Sequence, residues 1–378
     1  MKLFKSLLVA PATLGLLAPF AANATEVNFN AISNYSDEEI EIDINSFKPI
    51  TAQNLLLSGG EGLVETDLVE ADTPDGGFSE TTTASFSVGA VIGAVDGDTT
   101  SEKTSFDYQF NIGLSTSFTG EDSLDIAIDN GSASLSPIGS TLGFDSGSSL
   151  VVDGVTYTFP LGGATMVVGD ATDISATFTG ACAYSAFTDY MGNCGTGSSV
   201  GVGGKGVTAT IGYAFDSGFS LAGGLLSSTT GIVTDDADMY GIEAAYTTDS
   251  YGVALAYVMD DGGTNPETTY WGLNASYTPD STSLPSISVG YETEETGGTD
   301  SNGYFVGLTW SEVGPGSLSV GGGTTANFAS GATETLTYEA SYSYPVNDGM
   351  TITPGVFITE VDGGDDLTGI GVLTSFSF

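Results

Sequence analysis

The sequence predicts an all-β protein: a transmembrane antiparallel β-barrel of about sixteen strands, with a long constriction loop after the fifth. Three observations carry this. From about residue 80 onward, apolar and polar residues alternate with a period of two. The alternating stretches are each about ten residues long and are separated by turn-forming residues. No stretch approaches the ~20 continuous apolar residues that a membrane-spanning helix needs.

At the N-terminus, Lys2 and Lys5 precede the apolar run LLVAPATLGLLAPF and then Ala22-Asn23-Ala24. A charged start, a short apolar core and a small-x-small site predict an export signal over residues 1–24, cut after Ala24. Residues 25–77 form an acidic segment, with SDEEIEID and the short apolar cluster ITAQNLLL, expected on the periplasmic side. The barrel is expected over residues 78–378.

The clearest strand is 105–115. Phe106, Tyr108, Phe110, Ile112 and Leu114 alternate with Ser105, Asp107, Gln109, Asn111, Gly113 and Ser115. In a strand these two sets face opposite sides. The same reading places strands at 82–94, 104–118, 122–129, 150–159, 163–169, 205–215, 218–226 and 238–247. It continues through 250–259, 268–278, 285–293, 302–311, 315–323, 334–344, 349–359 and 367–378. An even number leaves both ends of the barrel on one side of the membrane. Closure pairs every backbone N–H and C=O within lipid.

The connections support the count. Every second link is short and turn-like, among them TGED, PLGG, DSG, TDS and PVNDG, while the alternate links are mostly longer and richer in acid and glycine. This is the asymmetry of periplasmic turns and external loops. Phe118, Phe215, Phe219, Tyr246, Tyr251, Tyr277, Trp310, Tyr344 and Phe378 flank the short turns, as an interfacial girdle does. The opposite rim is less regular, with Tyr240 and Tyr246 only about 20 Å apart along their strand.

The longest link, about residues 170–204, follows the fifth strand and is the third on the external side. A link of that length without regular structure is usually functional. It contains Cys182 and Cys194, for which a disulfide closing a small loop is expected, worth ~3 kcal/mol or a little less. Its acids include Asp170, Asp173 and Asp189. Strand parity puts Asp107, Asp125, Asp129, Glu243, Glu292 and Glu339 on the lumen side, with no Lys or Arg well inside a strand. These nine acids are the candidate pore-lining or constriction residues. Carboxylates at a constriction favour cations; the alternative is that they merely keep lumen and loops hydrated, with salt screening their charge. Tyr184, Phe187 and Tyr190 in the same loop could offer stacking faces to a sugar or form a small core.

Several functions are set aside by composition. Against 48 carboxylates there are five basic residues and no His, a net charge of −43. Such a chain repels nucleic acid. Without His there is no Ser-His-Asp triad, and scattered acids give no acid/base signal, so no enzyme is expected. Two cysteines cannot complete a zinc site, and no cofactor is expected. GVGGKG at 201–206 matches a dinucleotide motif in the wrong setting, before a strand rather than a helix. The acids Asp235, Asp236 and Asp238 could hold Ca²⁺ weakly, but such a cluster is more often a solvated external loop.

The leader MKLFKSLLVAPATLGLLAP, the segments FSETTTASF, LSTSFTGEDSL and DGVTYTFPLG, and YSYPVNDGMTIT followed by LTSFSF together resemble marine cyanobacterial outer-membrane porins. Those porins are related to the carbohydrate-selective porin family. The resemblance covers roughly residues 78–378 and implies an outer-membrane barrel passing ions and small hydrophilic solutes. It further implies that the third external loop folds into the lumen. Phe376 and Phe378 would be the signal read by the barrel-assembly machinery, and the partners would be outer-membrane lipid and two further copies in a homotrimer. Porins of this group usually carry an S-layer-homology domain before the barrel. Residues 25–77 hold no complete one, so peptidoglycan attachment does not carry over. The rival readings are a carbohydrate-selective pore and a non-transporting exported surface or structural β protein.

Overall fold

The computed structural model describes residues 82–97, 103–202, 206–227, 238–263 and 265–378. The expected leader and acidic segment lie outside the described residues, as do Asp235 and Asp236; Asp238, expected with them in a solvated loop, is instead the buried first residue of a strand, 3 % exposed.

The strands are β1 Thr82–Asp96, β2 Ser105–Thr116, β3 Ser123–Gly131, β4 Val151–Leu161, β5 Ala164–Thr172 and β6 Gly206–Ala214. They continue with β7 Phe219–Ser227, β8 Asp238–Thr247, β9 Tyr251–Asp260, β10 Thr268–Tyr277, β11 Ser286–Thr296 and β12 Thr299–Val313. The last are β13 Gly316–Thr324, the two-residue β14 Phe328–Ala329, β15 Leu336–Asn347, β16 Met350–Thr359 and β17 Leu367–Ser377. Successive strands pair antiparallel; β14 is a flap on β12, and β13 pairs directly with β15. β1 pairs with β2 on one side and with β17 on the other, from Ser87↔Ser377 to Asp96↔Thr368. Sixteen strands thus close into a ring, and the closure leaves no sheet edge. The final residue is knitted into the seam. The Phe86 N–H donates to the Phe378 carbonyl at 2.8 Å, the Phe378 N–H returns to Phe86 at 3.0 Å, and the two rings stack at 5.7 Å.

The predicted alternation becomes two faces. In β9, Tyr251, Val253 and Leu255 are exposed on the outside, while Gly252, Ala254, Ala256 and Val258 are buried on the inside. Outward Ile211, Leu221, Ile242, Leu273, Val289 and Val306 are 40–62 % exposed. An apolar surface of this extent is costly in water and suited to hydrocarbon.

The rim of the short turns carries the expected aromatics, with Tyr213–Phe215 rings at 4.6 Å and Tyr246–Tyr251 at 6.0 Å. The opposite rim is more regular than the sequence reading allowed. Outward aromatics stand six positions apart on five strands: Tyr240 and Tyr246, Tyr257 and Tyr251, Trp271 and Tyr277, Tyr304 and Trp310, Tyr338 and Tyr344. Tyr257 and Trp271 face each other in register, with rings 4.7 Å apart. The second girdle runs across neighbouring strands, each of which contributes one ring to it.

One link differs from expectation. β11 and β12 run on past the predicted strand ends and meet in Gly297-Gly298, both with positive φ (57° and 84°). Two such residues make the tight turn that matches hairpin twist, so this hairpin stays paired where its neighbours open into loops.

The turn between β2 and β3 is held by Asp122. One carboxylate oxygen accepts from Ser117 Oγ (2.9 Å), Phe118 N (2.9 Å), Thr119 N (2.7 Å) and Thr119 Oγ1 (2.8 Å), and the other from the Tyr157 hydroxyl of β4 at 2.6 Å. The Tyr157 bond, followed by the Thr119 N–H, holds the carboxyl far below the usual carboxylate range. A depressed folded pKa contributes stability above the unfolded value and loses it as pH falls through the folded one. Asp122→Asn is expected to lower the temperature at which the unboiled electrophoretic mobility is lost at pH 7. The gap to wild type should narrow below the ordinary carboxylate range. A gap absent at neutral pH, or insensitive to acid, contradicts this account of the turn.

Candidate permeation pathway

The chain leaves β5 through a kink. The β5–β6 register shifts between Gly169 and Thr172, and Ala171 takes a left-handed φ of 53° while its N–H donates to Asp170 Oδ1 at 2.9 Å. Irregularities of this kind re-aim a strand end, here into the barrel. The loop that follows is described to residue 202. It contains a 3-10 turn at Ile174–Thr177, an extended run to 188 and further 3-10 turns over Asp189–Gly195.

The outbound run crosses the inner wall. Thr177 lies over Gly212 of β6, Ala181 over Gly252 of β9, Tyr184 over Gly307 and Gly321 of β12 and β13, and Phe187 over Gly355 of β16. The return run places Cys194 over Gly290 and Ser199 over Gly272. Any Cβ at Gly290 would fall 1.8 Å from the Cys194 carbonyl oxygen, so the loop needs glycine there. The Cys182–Cys194 disulfide, Cα–Cα 5.7 Å, ties the two runs together. Apolar contacts seal them to the wall. Ile174 and Val202 cluster with Leu226 and Val258, and Met191 and Cys194 with Phe305.

A second external link, 132–150, also folds inward, which the sequence reading did not foresee. Its short helix Pro137–Thr141 buries Ile138 completely beside Gly93 of β1 and Gly371 of β17. Phe187 from the long loop joins Ile138, Phe144, Val91 and Phe357 in one cluster, so the two links meet inside the barrel.

The candidate acids divide into groups. Glu243, Glu292 and Glu339 face inward but lie beneath the long loop, 3 %, 3 % and 4 % exposed. Asp107, 2 % exposed, lies beneath the second link and accepts the Ser136 N–H at 3.2 Å and the Ser136 hydroxyl. Asp129 is buried near the rim. Asp125 is half-buried on the inner face of β3 and accepts from Ser123 Oγ at 2.7 Å. Asp173 is half-buried at the start of the loop. Asp189 is exposed at its far end, close to Gly143 of the second link. Asp170 stands in register with Val155 on the outward face, at the rim. Phe376 is half-buried and Phe378 is 75 % exposed beside the seam.

Of the loop aromatics, Phe187 is buried in the inter-link cluster and Tyr184 packs on Phe305 at 4.9 Å. The core they form is shared with the barrel wall rather than internal to the loop. Burial first, then Glu339, pushes the Tyr184 hydroxyl well above its ordinary pKa. It therefore stays a neutral donor to Glu339 at 2.9 Å. Tyr190 remains 37 % exposed. Towards the short-turn end, Ser87, Gln109, Asn111, Thr351 and Ser375 line a recess of about 260 Å³ that Asp348 also borders.

If the disulfide orders the loop alone, the double substitution Cys182→Ser/Cys194→Ser removes about 2–3 kcal/mol of local order. Amide exchange at 183–195 should then accelerate by roughly two orders of magnitude, with β8–β10 amides unchanged. Unaltered loop exchange, or a uniform increase through the barrel, contradicts this.

No family profile matches the chain, and no curated protein matches it. Among solved structures it is similar to Pseudomonas putida OprB, with 14 % identity and a TM-score of 0.63 over 79 % of this chain and 94 % of that one. An anion-selective porin from Comamonas acidovorans matches at 13 % identity and a TM-score of 0.60, over 79 % and 99 %. OmpT, an outer-membrane protein of Vibrio cholerae in its trimer form, matches at 12 % and 0.54, over 79 % and 100 %. At these identities the likeness is one of fold: residues of this chain build the closed antiparallel barrel that outer-membrane porins share.

Proposed function

We propose that this protein is a passive diffusion pore of a bacterial outer membrane, admitting inorganic ions and small hydrophilic solutes with a mild preference for cations. The observation that carries this reading is a lipid-suited barrel whose lumen is narrowed by its own long links, with acids and hydroxyls facing inward. Export through the leader, an acidic periplasmic segment over 25–77, assembly through Phe376 and Phe378, and a homotrimer complete the proposal. The sequence resemblance to cyanobacterial porins and the barrel likeness support them.

The cation preference rests on sign. Lys103 is the one basic side chain among the described residues, and the whole sequence has no His and five basic residues against 48 acids. With Lys103 as the one fixed positive group among the described residues, an anion meets mostly repulsion, whereas a cation is stabilised at Asp189 and Asp125. The preference is mild because these groups are hydrated and screened over about 8 Å in physiological salt. A second reading, a carbohydrate-selective pore, is favoured by one feature: exposed Tyr190 beside Asp189 offers a stacking face next to a hydrogen-bond acceptor.

Planar bilayers under a salt gradient are expected to give a reversal potential of cation-selective sign. Asp189→Asn should reduce the cation-to-anion permeability ratio about twofold, an effect fading at high salt. A reversal potential of anion-selective sign overturns the preference. Competition of ion current by sugars, lost in Tyr190→Ala, would instead establish the second reading.

A further inference from the structure

The inner wall carries a repeated device. β8 presents Gly241-Ile242-Glu243, β10 Gly272-Leu273-Asn274 and β11 Gly290-Tyr291-Glu292, with glycine and acceptor both on the inward face. In each case the glycine clears space for the long loop, and the residue two positions on accepts hydrogen bonds from it. β15 adds Glu339, opposite Gly321 of β13 in register.

The bonds follow the loop outward and back. Glu243 accepts the N–H groups of Thr179 and Gly180, the latter at 3.2 Å. Asn274 accepts from Ala181 N at 2.7 Å, and Ser288 Oγ from Ala183 N at 3.1 Å. Glu339 takes four donors: Phe187 N (2.8 Å), Thr188 N (2.7 Å), Thr188 Oγ1 (2.6 Å) and the Tyr184 hydroxyl (2.9 Å). On the return, Glu292 accepts from Ser198 N (3.1 Å), Ser199 Oγ and Asn327 Nδ2 (3.1 Å). An extended run outside any ladder has N–H groups that must find partners once water is excluded. Here the barrel wall supplies them as side-chain acceptors.

We propose that Glu243, Glu292 and Glu339 are positioning residues: they set the size limit of the pore by clamping the long loop against the wall, and they contribute little to its ion selectivity. This rests on the diffusion-pore reading. Both oxygens of each carboxylate are directed at donors, and the loop lies between them and the lumen, so a passing ion meets the loop rather than these charges. Carboxylate is the required chemistry because every partner is a donor and a carboxylate only accepts. Glutamine at 339 would present an NH₂ group to N–H and O–H donors, leaving at least one unpaired.

The test uses the purified full-length protein, wild type against Glu339→Gln and Glu243→Gln, in planar bilayers and in liposome swelling with graded sugars. Wild type must first form channels; if it forms none, the pore reading fails before the variants are compared. The expected result is that both variants assemble with the wild-type mobility shift and admit larger sugars than wild type. Their conductance should rise by about 1.5-fold or more with added current flicker, at a permeability ratio within about 1.5-fold of wild type. An unchanged size limit with reduced cation selectivity overturns the proposal, because the glutamates would then be pore charges. Failure of both variants to assemble overturns it equally, because they would then hold the barrel rather than the loop.

Discussion

A strand in hydrocarbon has no water to fall back on, so each of its backbone N–H and C=O groups needs a partner in the protein. Everything else in this molecule follows from meeting that constraint. β1 must find β17, and it does so over ten register pairs that end at Asp96↔Thr368. The reciprocal Phe86–Phe378 bonds extend the seam to the last residue. Closure fixes which way each side chain points, because alternate residues must then face lipid or lumen. Ile242 and Glu243 are neighbours in sequence; one is 62 % exposed outside and the other 3 % exposed inside.

The same constraint extends to the lumen once loops enter it. A loop lying on the wall excludes water from both surfaces, and its polar backbone needs partners there. The barrel meets this with glycines that let the backbone approach and with carboxylate, amide and hydroxyl acceptors beside them. Apolar contacts at Ile174, Met191 and Phe187 fill the remaining space. The inner face is therefore not a uniformly wet surface. Part of it is a bed for the long loop, part carries the short helix at 137–141, and the rest is polar wall that includes Asp125.

Much of the architecture was legible in the sequence, because period-two alternation and turn chemistry are local signals. The strands over 238–247 and 268–277 end within a residue of their predicted bounds. The inward parity of Glu243, Glu292 and Glu339 was legible too, but what covers them was not. Their partners lie far away in sequence, between 63 and 64 positions for Glu243 and above 150 for Glu339, and alternation carries no information at that range. A signal was present in the Gly-x-Glu and Gly-x-Asn triplets, since inward glycines mark close backbone approach. The helix over PIGST offers five residues and no periodic pattern, so nothing local announced it. The second aromatic girdle became visible only when register aligned neighbouring strands.

The central claim is that one face of these strands meets hydrocarbon, and the chain contains its own reporters. Its two tryptophans, Trp271 and Trp310, both stand on the outward face, in β10 and β12, one in each girdle. In vesicles of acyl-chain-brominated lipid, most of the tryptophan emission should be quenched, while acrylamide in the aqueous phase should quench little. Strong acrylamide quenching with no effect of bromination would place these residues in water and contradict the account.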